Sequence, residues 1–187
     1  MKKVLLHVCC AHCAAYTAEY WRQQDYKVSG FWYNPNIHPF SEYQSRLESM
    51  QALADKIDLP FIVSQDYDMP EFFRRVAGNE SQRCRECFNL RLTRTAEIAR
   101  VNCFDAFTTT LLISPQQQHE LLQKTGKAIA DEFGVEFLYA DLRKRYSDSR
   151  HITKPMDLYR QQYCGCLYSE WERNTETPHE QQEGELH

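Results

Sequence analysis

The chain has 187 residues, 42% of them hydrophobic and 13% aromatic, enough to bury one sizeable core. Its formal charge is -4, but from Glu170 onward six acids face Arg173 alone, which leaves residues 1–169 near +1 and neither demands nor excludes a nucleic-acid partner. No apolar run reaches the about 18 residues of a membrane span, and no secretory leader with a small-residue cleavage site precedes Cys9, so a cytoplasmic protein without membrane association is expected.

Lys3 to Cys10 is a short apolar, β-branched run, expected as a buried strand that ends at its cysteines. Ala14 to Gln24, free of Gly and Pro, reads as the first helix, and Lys27 to Tyr33 as a second strand stopped by Asn34-Pro35-Asn36. Ser41 is the expected N-cap of a helix along which Tyr43, Leu47, Met50, Ala54 and Ile57 recur. A third strand over Leu59 to Ser64 follows, then a short helix from Pro70 to Ala77 and a longer one from Cys84 to Arg100. Asp105 to Ile113 is a Thr-rich strand ended by Ser114-Pro115. Leu122, Gly126, Ile129 and Phe133 mark a helix closed by Gly134, and Val135 to Ala140 is the last clear strand. This alternation predicts a single α/β domain over residues 1–173, with a parallel sheet sandwiched by helices. Residues 174–187 are polar and acidic and are expected as a disordered tail. Ligands of such sheets gather at the strand carboxyl ends, where Cys9-Cys10 falls.

Seven of the eight cysteines lie in three knots: Cys9, Cys10 and Cys13; Cys84 and Cys87; Cys164 and Cys166. Spaced cysteines in a reducing compartment point to a metal or a redox dithiol rather than to disulfide staples. Adjacent Cys9 and Cys10 point in different directions on extended chain, which does not suit a zinc knuckle. Cys84-Arg85-Glu86-Cys87 puts both sulfurs on one helix face, in a locally basic segment with Arg83, Arg91, Arg94 and Arg100. In Cys164-Gly165-Cys166 the glycine permits a sharp turn, and a disulfide across it would be strained and easily reduced. Cys103, beside Phe104, reads as a core residue. His7 reads as a hydrogen-bonded core residue and His12 as a group just outside the thiols; His38 and His119 lie in polar contexts with no second histidine at ligand spacing. Seven thiols exceed one four-coordinate zinc and favour an iron–sulfur cluster with further redox chemistry.

At these residues the chain resembles the QueH family of cobalamin-independent epoxyqueuosine reductases, over roughly residues 4–170. The resemblance rests on Leu-His-Val-Cys-Cys-Ala-His-Cys (6–13), Tyr-Asn-Pro-Asn-Ile-His-Pro (33–39) with Glu42, Tyr43 and Arg46, and Arg-Cys-Arg-Glu-Cys-Phe (83–88) with Leu90-Arg91-Leu92. It continues through Thr-Thr-Thr-Leu-Leu-Ile-Ser-Pro (108–115), Ala-Asp-Leu-Arg-Lys (140–144) and Tyr-Arg-Gln-Gln-Tyr-Cys-Gly-Cys (159–166). His12 departs from the pattern, since the family usually has Pro there. The resemblance implies a HUP-like fold and reduction of epoxyqueuosine to queuosine at the wobble position of tRNAs with GUN anticodons. Cys-Cys-Ala-His-Cys stands where ATP-using relatives carry a Ser-Gly-Gly-x-Asp-Ser phosphate loop, so neither ATP nor cobalamin is expected.

Loss of the epoxide oxygen needs two electrons and two protons, which calls for a metallocofactor and an electron donor that the sequence does not identify. Under the resemblance, Cys9, Cys10, Cys84 and Cys87 are expected to hold a 4Fe-4S cluster. Cys164 and Cys166 are expected as a redox couple or as iron ligands, and Cys13 as a ligand of an additional mononuclear iron acting as a Lewis acid. Asp141 and His12 are weaker candidates for proton donors. Arg143, Lys144 and Arg145, with Arg150 and Lys154 against Asp148, form a +4 stretch suited to tRNA phosphates, and Tyr33, Tyr159 and Tyr163 to stacking on an unpaired base. Two rival readings are a zinc-stabilised RNA-binding module and a protein thiol–disulfide oxidoreductase.

Overall fold

The computed structural model describes residues 1–175. In chain order its elements are β1 (Lys2–His7), α1 (Ala11–Gln23), β2 (Tyr26–Trp32), α2 (Phe40–Lys56), β3 (Phe61–Val63) and α3 (Met69–Val76). They continue with α4 (Arg83–Val101), β4 (Ala106–Thr109), α5 (His119–Phe133), β5 (Glu136–Phe137), α6 (Tyr146–Thr153) and α7 (Leu167–Thr175). The strands form one parallel sheet in the order β3-β2-β1-β4-β5.

β1 lies at the centre, paired with β2 from Lys2 to His7 and with β4 from Val4 to His7. Alternation along it feeds two cores. Val4 and Leu6 pack with Ala14 and Ala18 of α1 and with Met50 and Leu53 of α2. Leu5 points the other way, among Leu92, Ala96 and Ala99 of α4 and Leu122 and Ile129 of α5. Val4, Leu5 and Leu6 are fully buried, and each such side chain contributes about 1.5–3 kcal/mol. A sheet covered on both faces therefore reads as a continuous apolar run, as this strand does. Gly126 lets α5 approach the sheet: a Cβ there would sit 2.3 Å from the Phe137 ring. Gly134 closes α5 in the left-handed conformation, φ 65°.

Several expected boundaries shift. β1 stops at His7: the Val8 N–H still reaches the Phe31 carbonyl at 2.9 Å, the chain then bends at Cys9, and α1 starts at Ala11 rather than Ala14. α2 begins at Phe40 with Pro39 as its N-cap, so Ser41 lies inside the helix. The Thr-rich strand ends at Thr109; Thr110–Ile113 coils into a 3-10 turn, with the Thr109 hydroxyl accepting the Leu111 N–H at 3.2 Å. Helices α6 and α7 were not foreseen, both being short and polar. Asn174 and Thr175 belong to α7, and the rest of the expected tail lies outside the described residues. Cys103 is exposed in the turn after α4, with φ 52°, and is no core residue.

Candidate cysteine-rich metal and redox centre

In this strand order the winding direction reverses between β1 and β4, which opens a crevice at their carboxyl ends. Cys9, Cys10 and Cys13 fill the β1 side, all buried. The Cys9 backbone N–H and its thiol both meet the Thr110 hydroxyl, at 3.4 and 3.5 Å. The chain bends at Cys9 and the thiols of this knot perturb one another, Cys9 through Cys10 and Cys10 through Cys13. That perturbation, joined by burial, pushes the Cys9 thiol well up and Cys10 up to about 12. Cys10 is also the N-cap of α1, with no side-chain cap bond and no acid in the first turn, so the positive end of the helix dipole faces the thiols.

Cys84 and Cys87 come from the first turn of α4. Burial raises both, Cys87 to about 12, and both feel Cys164 and Cys166. The Cys164–Cys166 loop is tied from two sides. Arg46 donates from Nε to Glu42 Oε1 (2.6 Å), from Nη1 to the Cys164 carbonyl (2.9 Å) and from Nη2 to the Tyr163 carbonyl (3.0 Å). The His38 N–H donates to the Gly165 carbonyl at 2.8 Å, and the Tyr163 hydroxyl to the His38 carbonyl. Gly165 has φ 151°, and a Cβ there would lie 3.1 Å from Ile37 Cγ1 and 3.2 Å from Asn36 Nδ2, so only glycine lets the loop pass. Arg83 pairs with Glu172 and lies over the Tyr168 ring at 5.6 Å, seating α7 beside the start of α4.

A cavity of about 250 Å³ opens onto this crevice. Cys9, Cys10, Cys13 and Cys164 line it with Thr110, Tyr163 and a set of amides and guanidiniums that includes Gln116, Gln117, Gln161, Arg150 and Arg160. No carboxylate is among its described lining residues. Cys164 also lines a second, contiguous cavity with Cys84 and Cys166, so one sulfur bridges the knots. Gln117 Nε2 donates to Cys164 Sγ at 3.4 Å. All eight cysteines are free thiols.

The other candidates stand differently. His7 is buried, its ring nitrogens meeting Thr109 Oγ1 (3.0 Å) and the Tyr33 carbonyl (3.2 Å), and burial lowers it to about 3. His12 does not line the cavity; it meets Thr153 Oγ1 (2.6 Å) and the Tyr159 carbonyl (3.1 Å), and burial favours its neutral ring. His38 lies in the loop before α2 and His119 at the start of α5, the loop and helix-end contexts expected, but both are buried, and His38 stacks on Phe73 at 4.8 Å. Asp141 is half-exposed and bound to Arg143 (2.8 Å, Oδ1 to Nε), which holds its carboxyl far below the usual range; it is outside both cavities and unsuited to giving up a proton. Arg145 pairs with Asp148 at 3.2 Å, so two of the three cations expected to meet tRNA are engaged, and Lys144 stays exposed. Tyr33 is buried behind the site, the Tyr159 hydroxyl is taken by Glu42, and Tyr163 alone of the three lines the cavity. Sequence reading missed the placement of Arg91, buried one turn after Cys87, and of the Glu42–Arg46 pair. Spacing from Cys87 was the available signal for the first.

Among the described residues, no three His, Cys, Asp or Glu side chains converge on one ion's position. A single tetrahedral zinc needs sulfurs about 3.8 Å apart, whereas in a cluster each thiolate binds its own iron. A soft, all-thiol donor set drawn from three segments, facing a helix N-terminus and a buried guanidinium, suits the polynuclear case.

The fold and site define a HUP-like α/β protein with a cysteine-rich centre at the carboxyl ends of its strands. The family model described as "Epoxyqueuosine reductase QueH" matches residues 4–172. Epoxyqueuosine reductase QueH of Dehalococcoides mccartyi is 56% identical over 171 residues, 91% of this chain and 94% of the relative. That of Thermotoga maritima is 35% identical over 183 residues, covering 92% and 93%. The chain belongs to the QueH family. A solved structure described as a predicted subunit of tRNA methyltransferase from Methanocaldococcus jannaschii shares the fold, with TM-score 0.56, 10% identity, and coverage of 83% of this chain and 76% of that one.

Proposed function

We propose that this protein is an epoxyqueuosine reductase, converting epoxyqueuosine to queuosine in the wobble nucleotide of GUN-anticodon tRNA through an iron–sulfur centre. The observation that carries the reading is the convergence of seven thiols from three distant segments at the β1/β4 crevice, beside a cavity open to a ligand. The balance is simple: the epoxide takes two electrons and two protons, its C–O bonds break, an alkene forms and water leaves. Cys9, Cys10, Cys84 and Cys87 are the residues that would hold a 4Fe-4S cluster, which supplies single-electron transfer. Cys13 would serve an additional iron as its protein ligand. Oxidation of Cys164 and Cys166 to a disulfide releases two electrons and two protons, the amounts the epoxide consumes, and an external donor must restore the dithiol.

The remaining residues bind and orient. Gln116, Gln117 and Gln161 present amides to the hydroxyls and base edge of the modified nucleoside, which belongs to an unpaired loop and needs no duplex opening. Arg150 and Arg160 line the same cavity with no ion pair among the described residues and, with Lys144, suit the flanking phosphates better than Arg143 or Arg145. Among the described residues, no helix is long and apolar enough to cross a membrane, and a tRNA substrate assigns the work to the cytoplasm. The test is anaerobic purification with iron and sulfide analysis, then incubation with epoxyqueuosine-containing tRNA and a reductant, reading nucleosides by mass spectrometry. Iron and sulfide with conversion to queuosine is expected; protein without iron, or loaded protein without conversion, refutes the reading.

A further inference from the structure

Histidines aside, the buried ionisable groups of charged type are Glu42, Arg46 and Arg91 among the described residues. Glu42 and Arg46 neutralise one another at 2.6 Å. Arg91 is left over. It is 2% exposed on α4, its Nε donates to the Cys87 carbonyl at 3.3 Å, and its Nη2 is buried without a hydrogen-bond partner among the described residues. No carboxylate lies within ion-pair reach of it in that set. A lone buried ion costs several kcal/mol, so a guanidinium in this position needs an anion. Its surroundings offer one kind only. Cys87 lies one turn back on the same helix, and Cys9 and Cys164, from the other two knots, are its next electrostatic neighbours.

We infer that Arg91 is the fixed counter-cation of the thiolate-bound centre, placed at the junction of the three cysteine knots to favour its more reduced state. The inference rests on the proposed iron–sulfur centre. The physical reason is charge counting: each ligating thiolate brings one negative charge, and each electron accepted adds another. A cation fixed in a low-dielectric interior stabilises the more negative state more strongly. Arg91 does not line the cavity and touches no reacting atom, so it acts through the centre as a positioning residue. Its burial separates it from Arg85 and Arg100 of the same basic helix, which face solvent.

The test is the reduction midpoint of anaerobically loaded protein, followed by electron paramagnetic resonance through a potentiometric titration of wild type, Arg91→Lys and Arg91→Met. Iron and sulfide per chain are measured on the same samples. Arg91→Met is expected to titrate at lower potential than wild type, and Arg91→Lys near wild type. Poor loading of Arg91→Met beside full loading of Arg91→Lys supports the same conclusion, since charge then decides assembly. A wild-type potential in fully loaded Arg91→Met overturns the inference, and so does equal failure of both variants to load, which assigns the residue to packing. Wild-type protein lacking iron and sulfide is a distinct result: it removes the centre itself, and the proposed function with it.

Discussion

Arg46 joins a buried carboxylate to the loop that carries Cys164, and replacing it by methionine separates those two roles from simple packing. Methionine fills much of the same volume, so the loss is electrostatic. Glu42, 8% exposed, is left without its cation, and breaking a buried pair in this way costs about 3–5 kcal/mol. The carbonyls of Tyr163 and Cys164 also lose their donors, each worth about 1 kcal/mol and not strictly additive. Urea unfolding of the reduced, metal-free protein should therefore show Arg46→Met lowered by about 3–5 kcal/mol with the m-value unchanged. Glu42→Gln keeps both bonds to the loop and an amide oxygen for Nε but leaves the buried guanidinium without its anion, so it too should lose about 3–5 kcal/mol, short of Arg46→Met only by the two carbonyl bonds. A double-mutant cycle between the two positions isolates the pair. A loss below about 1 kcal/mol in Arg46→Met, or a loss in Glu42→Gln that exceeds it, would refute the view that Arg46 anchors the cysteine loop.

Four further outcomes follow from the geometry. His7 binds no proton in the folded state until about pH 3 but binds one near 6.5 when unfolded, so stability falls as pH drops below 6.5, by up to about 1.4 kcal/mol per pH unit for one group. His7→Gln should flatten the slope measured by urea unfolding between pH 6 and 4, and an unchanged slope would clear His7 of the effect. Gly126→Ala drives a methyl into the Phe137 ring 2.3 Å away and should cost about 1–3 kcal/mol in the same assay; a variant as stable as wild type would mean the ring swings aside freely. In metal-free protein at pH 8, iodoacetamide should label exposed Cys103 readily, with buried Cys9 and Cys10 slower by at least ~10-fold; uniform labelling by peptide mass spectrometry would contradict the buried, protonated state of Cys9 and Cys10. Arg160→Glu should weaken tRNA binding and reduce the salt slope by about 0.7–0.9, whereas a loss at Arg143→Glu of the same size would return the phosphate site to the 143–145 turn.

The alternation of apolar strands and amphipathic helices was legible because each signal is local: Val4 to Leu6 are buried on both faces, and Gly134 marks a helix end by its own backbone. The cysteine spacing also survived into the site, since three short knots needed only a fold that brought them together. What local pattern could not carry was direction. Cys9 and Cys10 were expected to diverge on extended chain, but the strand ends three residues earlier, at His7, and the two thiols perturb one another. Arg91 looked like one arginine among several on a basic helix, yet its position relative to Cys87 turns it inward. Arg143 and Arg145 counted as free charge in the sequence but are matched by Asp141 and Asp148 close by in the chain. Long-range partners, Arg46 with residue 164 or His12 with Thr153, leave no periodic trace at all.

The placement of β1 has a consequence for how the site comes into being. The central strand and its three cysteines are made early in the chain, while the loop of Cys164 and Cys166 is made late. During synthesis the early thiols must wait, solvent-accessible, for more than a hundred residues before the last knot is made. Long-range closures of this kind are slow, so oxygen exposure should harm the nascent enzyme more than the finished one. Metal delivery to the proposed centre before the last helices dock would then trap a half-built site, and delivery after they dock would have to pass through the opening proposed for the tRNA.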